Sequence, residues 1–233
     1  VSKPFQFKQF SLRDDQCAMK IGTDGVLLGA WVNVDHAKTV LDIGAGSGLI
    51  ALMIAQRSKV AEQIMAVELG KEDAQQATEN ALASPWPSRI QVHQSRIQDF
   101  RSDHSFHLIV SNPPFFNNSL LPPSGKRKAA RHTESLSYQD LLASAERLIT
   151  TGGIFAVVLP AREGALFISM AQFHGFYPSR QCAVYTRASK PQERWLLEFS
   201  RQPSPAHIEK LILFTEGNER SPEYEKLTEL FYL

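Results

Sequence analysis

A chain of 233 residues is long enough to bury one substantial core and short for two full domains, so one domain with decorations over 1–233 is expected. A hydrophobic share of 43% and a charged share of 21% exclude extensive disorder, and a net charge of +1 leaves any nucleic-acid footprint to a local patch. Cys17 and Cys182 lack metal-ligand spacing and fit a reducing compartment, no apolar run approaches the roughly 20 residues of a membrane span, and no secretory segment opens the chain, so a cytoplasmic, metal-free protein is expected.

Beyond a leader of residues 1–37, β-rich runs alternate with helical patterns, as a parallel sheet with crossover helices requires. Residues 39–43 read as the first buried strand, and 49–57 as a helix whose apolar stripe holds Leu49, Ile50, Met53 and Ile54. A strand over 63–69 and an Ala-, Gln- and Glu-rich helix over 71–83 follow, the helix ended by Pro85 and Pro87. Residues 90–94 make a third strand. Residues 106–111 make a fourth, stopped by two prolines that cannot continue a ladder. The polar stretch 117–135 lacks periodicity and reads as a long loop. A helix over 138–149, the pair Gly152-Gly153, a strand over 154–159 and a helix over 165–173 come next. Strand patterns at 183–186, 194–200 and 210–215 close the chain, the first two placed to form a hairpin. The expected class is α/β: a mostly parallel central sheet, helices on both faces and an antiparallel C-terminal hairpin.

Three signals in fixed order point to a nucleoside-containing ligand. Asp42-Ile43-Gly44-Ala45-Gly46-Ser47-Gly48 joins the first strand to its helix, where glycines permit a tight turn and close backbone approach beside a helix N-terminus. Leu49 occupies the place of the last glycine in the dinucleotide fingerprint, which weakens a nicotinamide or flavin reading. Glu68, at the end of the second strand, can accept hydrogen bonds from ribose hydroxyls, and Asp99, beyond the third strand, can accept an exocyclic adenine amine. An ordinary turn, strand end or surface acid would explain each one alone. Their order favours binding.

The tetrapeptide Asn112-Pro113-Pro114-Phe115 follows the fourth strand, at the carboxyl edge where open α/β sheets bind ligands. The lone pair of an aromatic base amine is delocalised into the ring, so its attack on a methyl donor needs acceptors that favour a tetrahedral nitrogen. The Asn112 side-chain oxygen and the Pro113 carbonyl supply two, Pro114 helps hold them rigid, and Phe115 supplies an aromatic face for an extruded base.

With these motifs the chain resembles the S-adenosylmethionine-dependent amino-methyltransferases of nucleic acids, a Rossmann-like family. Residues 18–31, Ala-Met-Lys-Ile-Gly-Thr-Asp-Gly-Val-Leu-Leu-Gly-Ala-Trp, narrow the resemblance to the bacterial tRNA adenine-N6 methyltransferases that act on valine tRNA beside the anticodon. The resemblance implies S-adenosyl-L-methionine as cofactor, bound by Asp42, Gly44, Ala45, Gly46, Gly48, Glu68 and Asp99, with Lys20, Thr23 and Asp24 near its methionine end and Asp24 pairing with its ammonium. A capping role for Thr23-Asp24 at a helix starting near Gly25 is compatible with that. A structured RNA substrate also fits the short C-terminal part, since related DNA enzymes carry a sizeable target-reading domain.

Lys126, Arg127, Lys128 and Arg131 follow the tetrapeptide and are candidates for RNA phosphate contact, whereas a solvated role suits Arg187, Lys190 and Arg194. A monomer acting on tRNA is expected. Guanine-N2 methylation of rRNA and protein glutamine methylation remain open as other activities, and an inactive nucleotide- or RNA-binding module as the non-enzymatic reading.

Overall fold

The computed structural model describes residues 3–114 and 136–233. Along the chain the elements are β1 (Phe5–Gln6), β2 (Ser11–Leu12), α1 (Thr23–Trp31), β3 (Thr39–Ile43), α2 (Leu49–Arg57), β4 (Gln63–Glu68), α3 (Lys71–Ala83), β5 (Ile90–Gln94) and β6 (Phe106–Ser111). After the undescribed stretch come α4 (Tyr138–Leu148), β7 (Ile149–Pro160), α5 (Ala161–Phe173), β8 (Tyr177–Tyr185), β9 (Gln192–Ser200), β10 (His207–Ile212) and α6 (Pro222–Thr228). Strands β3 to β10 form an 8-stranded sheet in the order β10-β8-β9-β7-β6-β3-β4-β5, and β1 pairs with β2 apart from it. Neighbours from β5 to β7 run parallel, β9 runs antiparallel to both β7 and β8, and β10 returns parallel to β8. The expected mostly parallel sheet and antiparallel hairpin are both present.

The two-residue period of the strands builds the two cores. Val40, Leu108, Val110, Ala156, Val158 and Leu196 face α1 and α2, while Leu41, Ile109, Phe155, Val157, Leu159 and Leu197 face α4 and α5. Helices therefore cover both faces. In α2 the run Leu49–Ala55 is buried all round, not along the single stripe expected from its spacing. The reason is α1, which lies on its outer side: a Cβ at Gly29 would meet the Met53 sulfur at 2.8 Å.

Helix α1 is fastened at both ends to the far half of the sheet. Its last carbonyls accept from arginines, Gly29 and Val32 from Arg57 and Trp31 from Arg180. The buried Glu198 of β9 accepts the backbone N–H of Asn33 at 2.7 Å, and Arg180 also pairs with Glu209, which accepts the Trp31 indole.

Several expectations are corrected. Helix α1 begins at Thr23 with Gly22 as its N-cap and no side-chain cap bond, so Thr23 and Asp24 lie inside the first turn and do not cap it. The Gly152-Gly153 pair sits inside β7 as a bulge, not ahead of the strand. Ile149 pairs with Phe106 before it and Ile154 with Leu108 after it, and Gly152 takes φ 81°. Strand β8 starts at Tyr177 because polar Arg180 finds Glu198 and Glu209 as partners, a satisfaction that periodicity alone does not reveal. The hairpin β1–β2 and helix α6 had no expected counterpart.

Candidate active site

Four parallel strands deliver the candidate residues to one rim. In register, Ile43 lies between Val67 of β4 and Ser111 of β6, and Glu68 lies beside Gln94 of β5. The loops after β3, β4, β5 and β6 therefore all open on the same edge. Because the chain runs outward from β3 to β5 and returns to β6 on the other side of β3, the crevice between β3 and β6 is a topological switch point, where such sheets bind ligands.

The glycine loop is shaped by its backbone. Gly44, Gly46 and Gly48 take φ values of 71°, 53° and 82°, in the left-handed region that other residues enter at a cost. Nothing lies within 4 Å of a Cβ built at Gly44 or Gly46, so the space above the loop is open to a ligand that approaches the backbone. Gly44 N–H donates to the Val67 carbonyl at 2.8 Å and Gly46 N–H to Glu68 Oε2 at 2.9 Å. The other Glu68 oxygen accepts from Gly70 N–H at 2.8 Å, so one carboxylate clasps both turns at the rim. Asn80 in α3 fixes the loop from below by donating to the Ser47 carbonyl at 2.9 Å, and it also exchanges hydrogen bonds with the backbone of Arg13.

Asp42 is fully buried beneath this loop. Its Oδ2 accepts the Ala51 N–H at 3.1 Å, while Oδ1 has no partner among the described residues. Burial pushes its carboxyl up to about 7; the Ala51 hydrogen bond pulls it down, and the charge of Glu68 raises it further. Asp99 is exposed in the turn after β5. That turn is clamped by Arg147 of α4, which donates to the Ile97 and Phe100 carbonyls at 3.0 and 2.9 Å.

Asn112 sits directly across the crevice from the loop. Ser111 Oγ donates to the Ile43 carbonyl at 2.8 Å, tying the ends of β6 and β3 together just before the two motifs diverge. Asn112 Oδ1 is buried and has no hydrogen-bond partner among the described residues. Pro113 is buried and Pro114 exposed. Phe115, Lys126, Arg127, Lys128 and Arg131 lie outside the described residues. At the start of α4 the buried Tyr138 phenol donates to Glu163 in the first turn of α5, and burial together with Glu163 holds it well above its ordinary range.

The leader reaches the same rim. A Cβ at Gly25 would meet Leu49 Cδ2 at 3.1 Å, which puts the first turn of α1 against the exit of the glycine loop. Lys20 is exposed and its Nζ donates to the Asp14 carbonyl, and Thr23 is exposed. Asp24 is bound by Arg194 of β9, whose Nε lies 3.0 Å from each carboxylate oxygen. Arg194 is thus no merely solvated cation, against the sequence expectation. A lone arginine in a strand pattern gave no signal that it would reach a residue 170 positions away.

These features accompany a clear set of relatives. The methyltransferase small domain family matches residues 17–177. Proteins called tRNA1(Val) (adenine(37)-N6)-methyltransferase are similar over nearly the whole chain. The one from Tolumonas auensis is 45% identical, covering 98% of this chain and 96% of its own, and the one from Yersinia pseudotuberculosis serotype O:3 is 48% identical, covering 98% and 92%. The chain belongs to this methyltransferase family. Its fold agrees: a protein from Agrobacterium tumefaciens described as a predicted O-methyltransferase superposes with a TM-score of 0.68 at 21% identity, covering 89% of this chain and 96% of that one. It is an S-adenosylmethionine-dependent enzyme of α/β Rossmann-like fold. Among the described residues no group of His, Cys, Asp and Glu could hold a metal, and no helix is long and apolar enough to cross a membrane.

Proposed function

We propose that this methyltransferase, acting as one domain over residues 1–233, modifies N6 of an adenine in tRNA, namely adenine 37 beside the anticodon of tRNA1(Val), as its relatives' names state for them. The observation that carries the reading is the Asn112 side-chain oxygen, buried and without a partner among the described residues, one position beyond the Ser111 that pairs with Ile43 at the entry to the open glycine loop. A buried acceptor left without a donor is costly, and such a group is a site for a donor brought by a ligand.

The cofactor fits the rim. Gly44 and Gly46 leave room for backbone approach, the Glu68 carboxylate retains acceptor capacity for ribose hydroxyls beyond its two backbone bonds, and exposed Asp99 is available to an adenine amine. When bound, S-adenosylmethionine supplies an electrophilic methyl on a sulfonium. The chain's own work is on the nucleophile. Asn112 Oδ1 and the Pro113 carbonyl accept the two N6–H groups, concentrating the lone pair on nitrogen and directing it at the methyl, while Phe115 holds the extruded base by stacking. The proton leaves N6 once the new N–C bond makes it acidic, so water suffices as base. Lys126, Arg127, Lys128 and Arg131 follow Phe115 and are proposed to meet the phosphates around the extruded base.

The test is methylation of an unmodified tRNA1(Val) transcript with labelled cofactor, followed by mass spectrometry of its nucleosides. N6-methyladenosine is expected, and it should vanish when adenine 37 is replaced by guanine. A methylated guanine, or no product from any tRNA, would overturn the reading.

A further inference from the structure

The ion pair between α1 and β9 lies at the catalytic rim and belongs to no part of the mechanism above. Arg194 pairs with Pro160 in the ladder, beyond Val157, the neighbour of Ser111. It shares the α1-facing side of β9 with Leu196 and Glu198, by the strand's period of two. From there its Nε–H straddles both Asp24 oxygens at 3.0 Å, with the arginine side chain 30% exposed and the aspartate 19%. The first turn of α1 that carries Asp24 packs on Leu49, next to Gly48 of the glycine loop.

Resting on the assignment of Asp24 to the cofactor's methionine end, we infer that Arg194 is a positioning residue for cofactor binding: it holds the Asp24 carboxylate in the orientation that receives the ammonium. A carboxylate offers about four lone-pair sites, and one straddling N–H leaves the outer ones for a second cation. Half-buried Asp24 has no other side-chain donor among the bonds the described residues show, so without Arg194 it would turn toward solvent or toward the amides of its own helix turn. Arg194 thus couples the C-terminal hairpin to the leader across the rim.

Calorimetry on the full chain with two ligands tests this. S-adenosylhomocysteine carries the amino-acid end, whereas 5′-methylthioadenosine shares the nucleoside and lacks it. Arg194→Met should weaken S-adenosylhomocysteine about tenfold and leave 5′-methylthioadenosine within about twofold, and Arg194→Lys should restore part of the loss. Asp24→Asn should show the same ligand selectivity, with the double variant no worse than Asp24→Asn alone, as for residues acting through one another. In turnover, Arg194→Met should raise KM for S-adenosylmethionine with kcat at saturation preserved. Wild-type affinity in Arg194→Met, or equal losses for both ligands, would overturn the role. If Asp24→Asn also bound normally, the assignment of Asp24 would fall with it. If Asp24→Asn alone lost affinity, only the part given to Arg194 would.

Discussion

The two halves of the sheet treat buried polar groups in opposite ways. At the β3–β6 crevice, Asp42 Oδ1 and Asn112 Oδ1 are enclosed and left without partners among the described residues. Around β8, β9 and β10, the buried charged groups find partners, Arg180 with Glu198 and Glu209, Glu209 with the Trp31 indole, and Glu198 with Asn33 N–H, and only the Thr215 hydroxyl past β10 is buried without one among the described residues of that half. Unmet hydrogen-bonding capacity costs stability and is retained where a ligand can use it, whereas closed networks hold elements together. The contrast separates the rim proposed to react from the part that fastens the leader to the sheet.

Substitutions on either side can break that contrast. Asn112→Ala should lower kcat for tRNA methylation by roughly 10²–10³-fold, the scale of losing one preorganised hydrogen-bonding partner of a reacting group. Calorimetry should show cofactor affinity unchanged, and undiminished turnover would remove Asn112 from the chemistry. In the fastening half, Arg180→Ala leaves the buried Glu198 with its main cation gone and should cost about 3 kcal/mol in urea unfolding, with activity per folded molecule retained. A variant as stable as the parent would show that the network adds little.

A gentler probe is pH. The Asp42 carboxyl titrates near 7 in the folded cofactor-free protein against an ordinary value of 3.8, so the folded state binds the extra proton between those values. The contribution of Asp42 to stability should therefore be fullest below about pH 4, decline as pH rises toward 7, with a slope of up to about 1.4 kcal/mol per pH unit, and level off above it. Asp42→Asn keeps an acceptor for Ala51 N–H and should flatten that slope in chemical-denaturation series. A slope identical to the parent's would assign it elsewhere. Smallest in free energy is the basic stretch beyond the tetrapeptide. Neutralising Lys126, Arg127 and Lys128 together should reduce the slope of log tRNA affinity against log salt by about 2 to 3, and an unchanged slope would place the phosphates on another surface.

The elements that were legible in advance share a physical cause. Strands β3, β4, β5 and β6 and helices α2 and α3 were expected nearly to the residue, because the central strands β3 and β6 read as short apolar runs, the edge strand β5 as an alternation, and prolines stop β6 and follow α3. The rest depends on distant partners. Gly152-Gly153 signals a turn in one dimension and becomes a bulge because the chain pairs with Phe106, and the polar start of β8 becomes strand because Glu198 and Glu209 meet Arg180.

The candidate site divides along the same line. The placement of Asp42 to Gly48, Glu68, Asp99 and Asn112 to Pro114 was legible because each lies at the carboxyl end of a strand or in the turn that follows it, and chain order along a parallel sheet implies that those ends share an edge. What the sequence by itself determined is therefore the order of the motifs along the sheet, from which the proposed chemistry is read: a glycine loop for a nucleoside cofactor and two acceptors for an amine. Only the tertiary structure decided how the pieces are held. Ser111 ties the two motifs through Ile43, Asn80 pins the loop to the leader, and Arg194 reaches Asp24 from β9. Such bonds join residues far apart in the chain, and local pattern carries no record of a partner that arrives only when the sheet has formed.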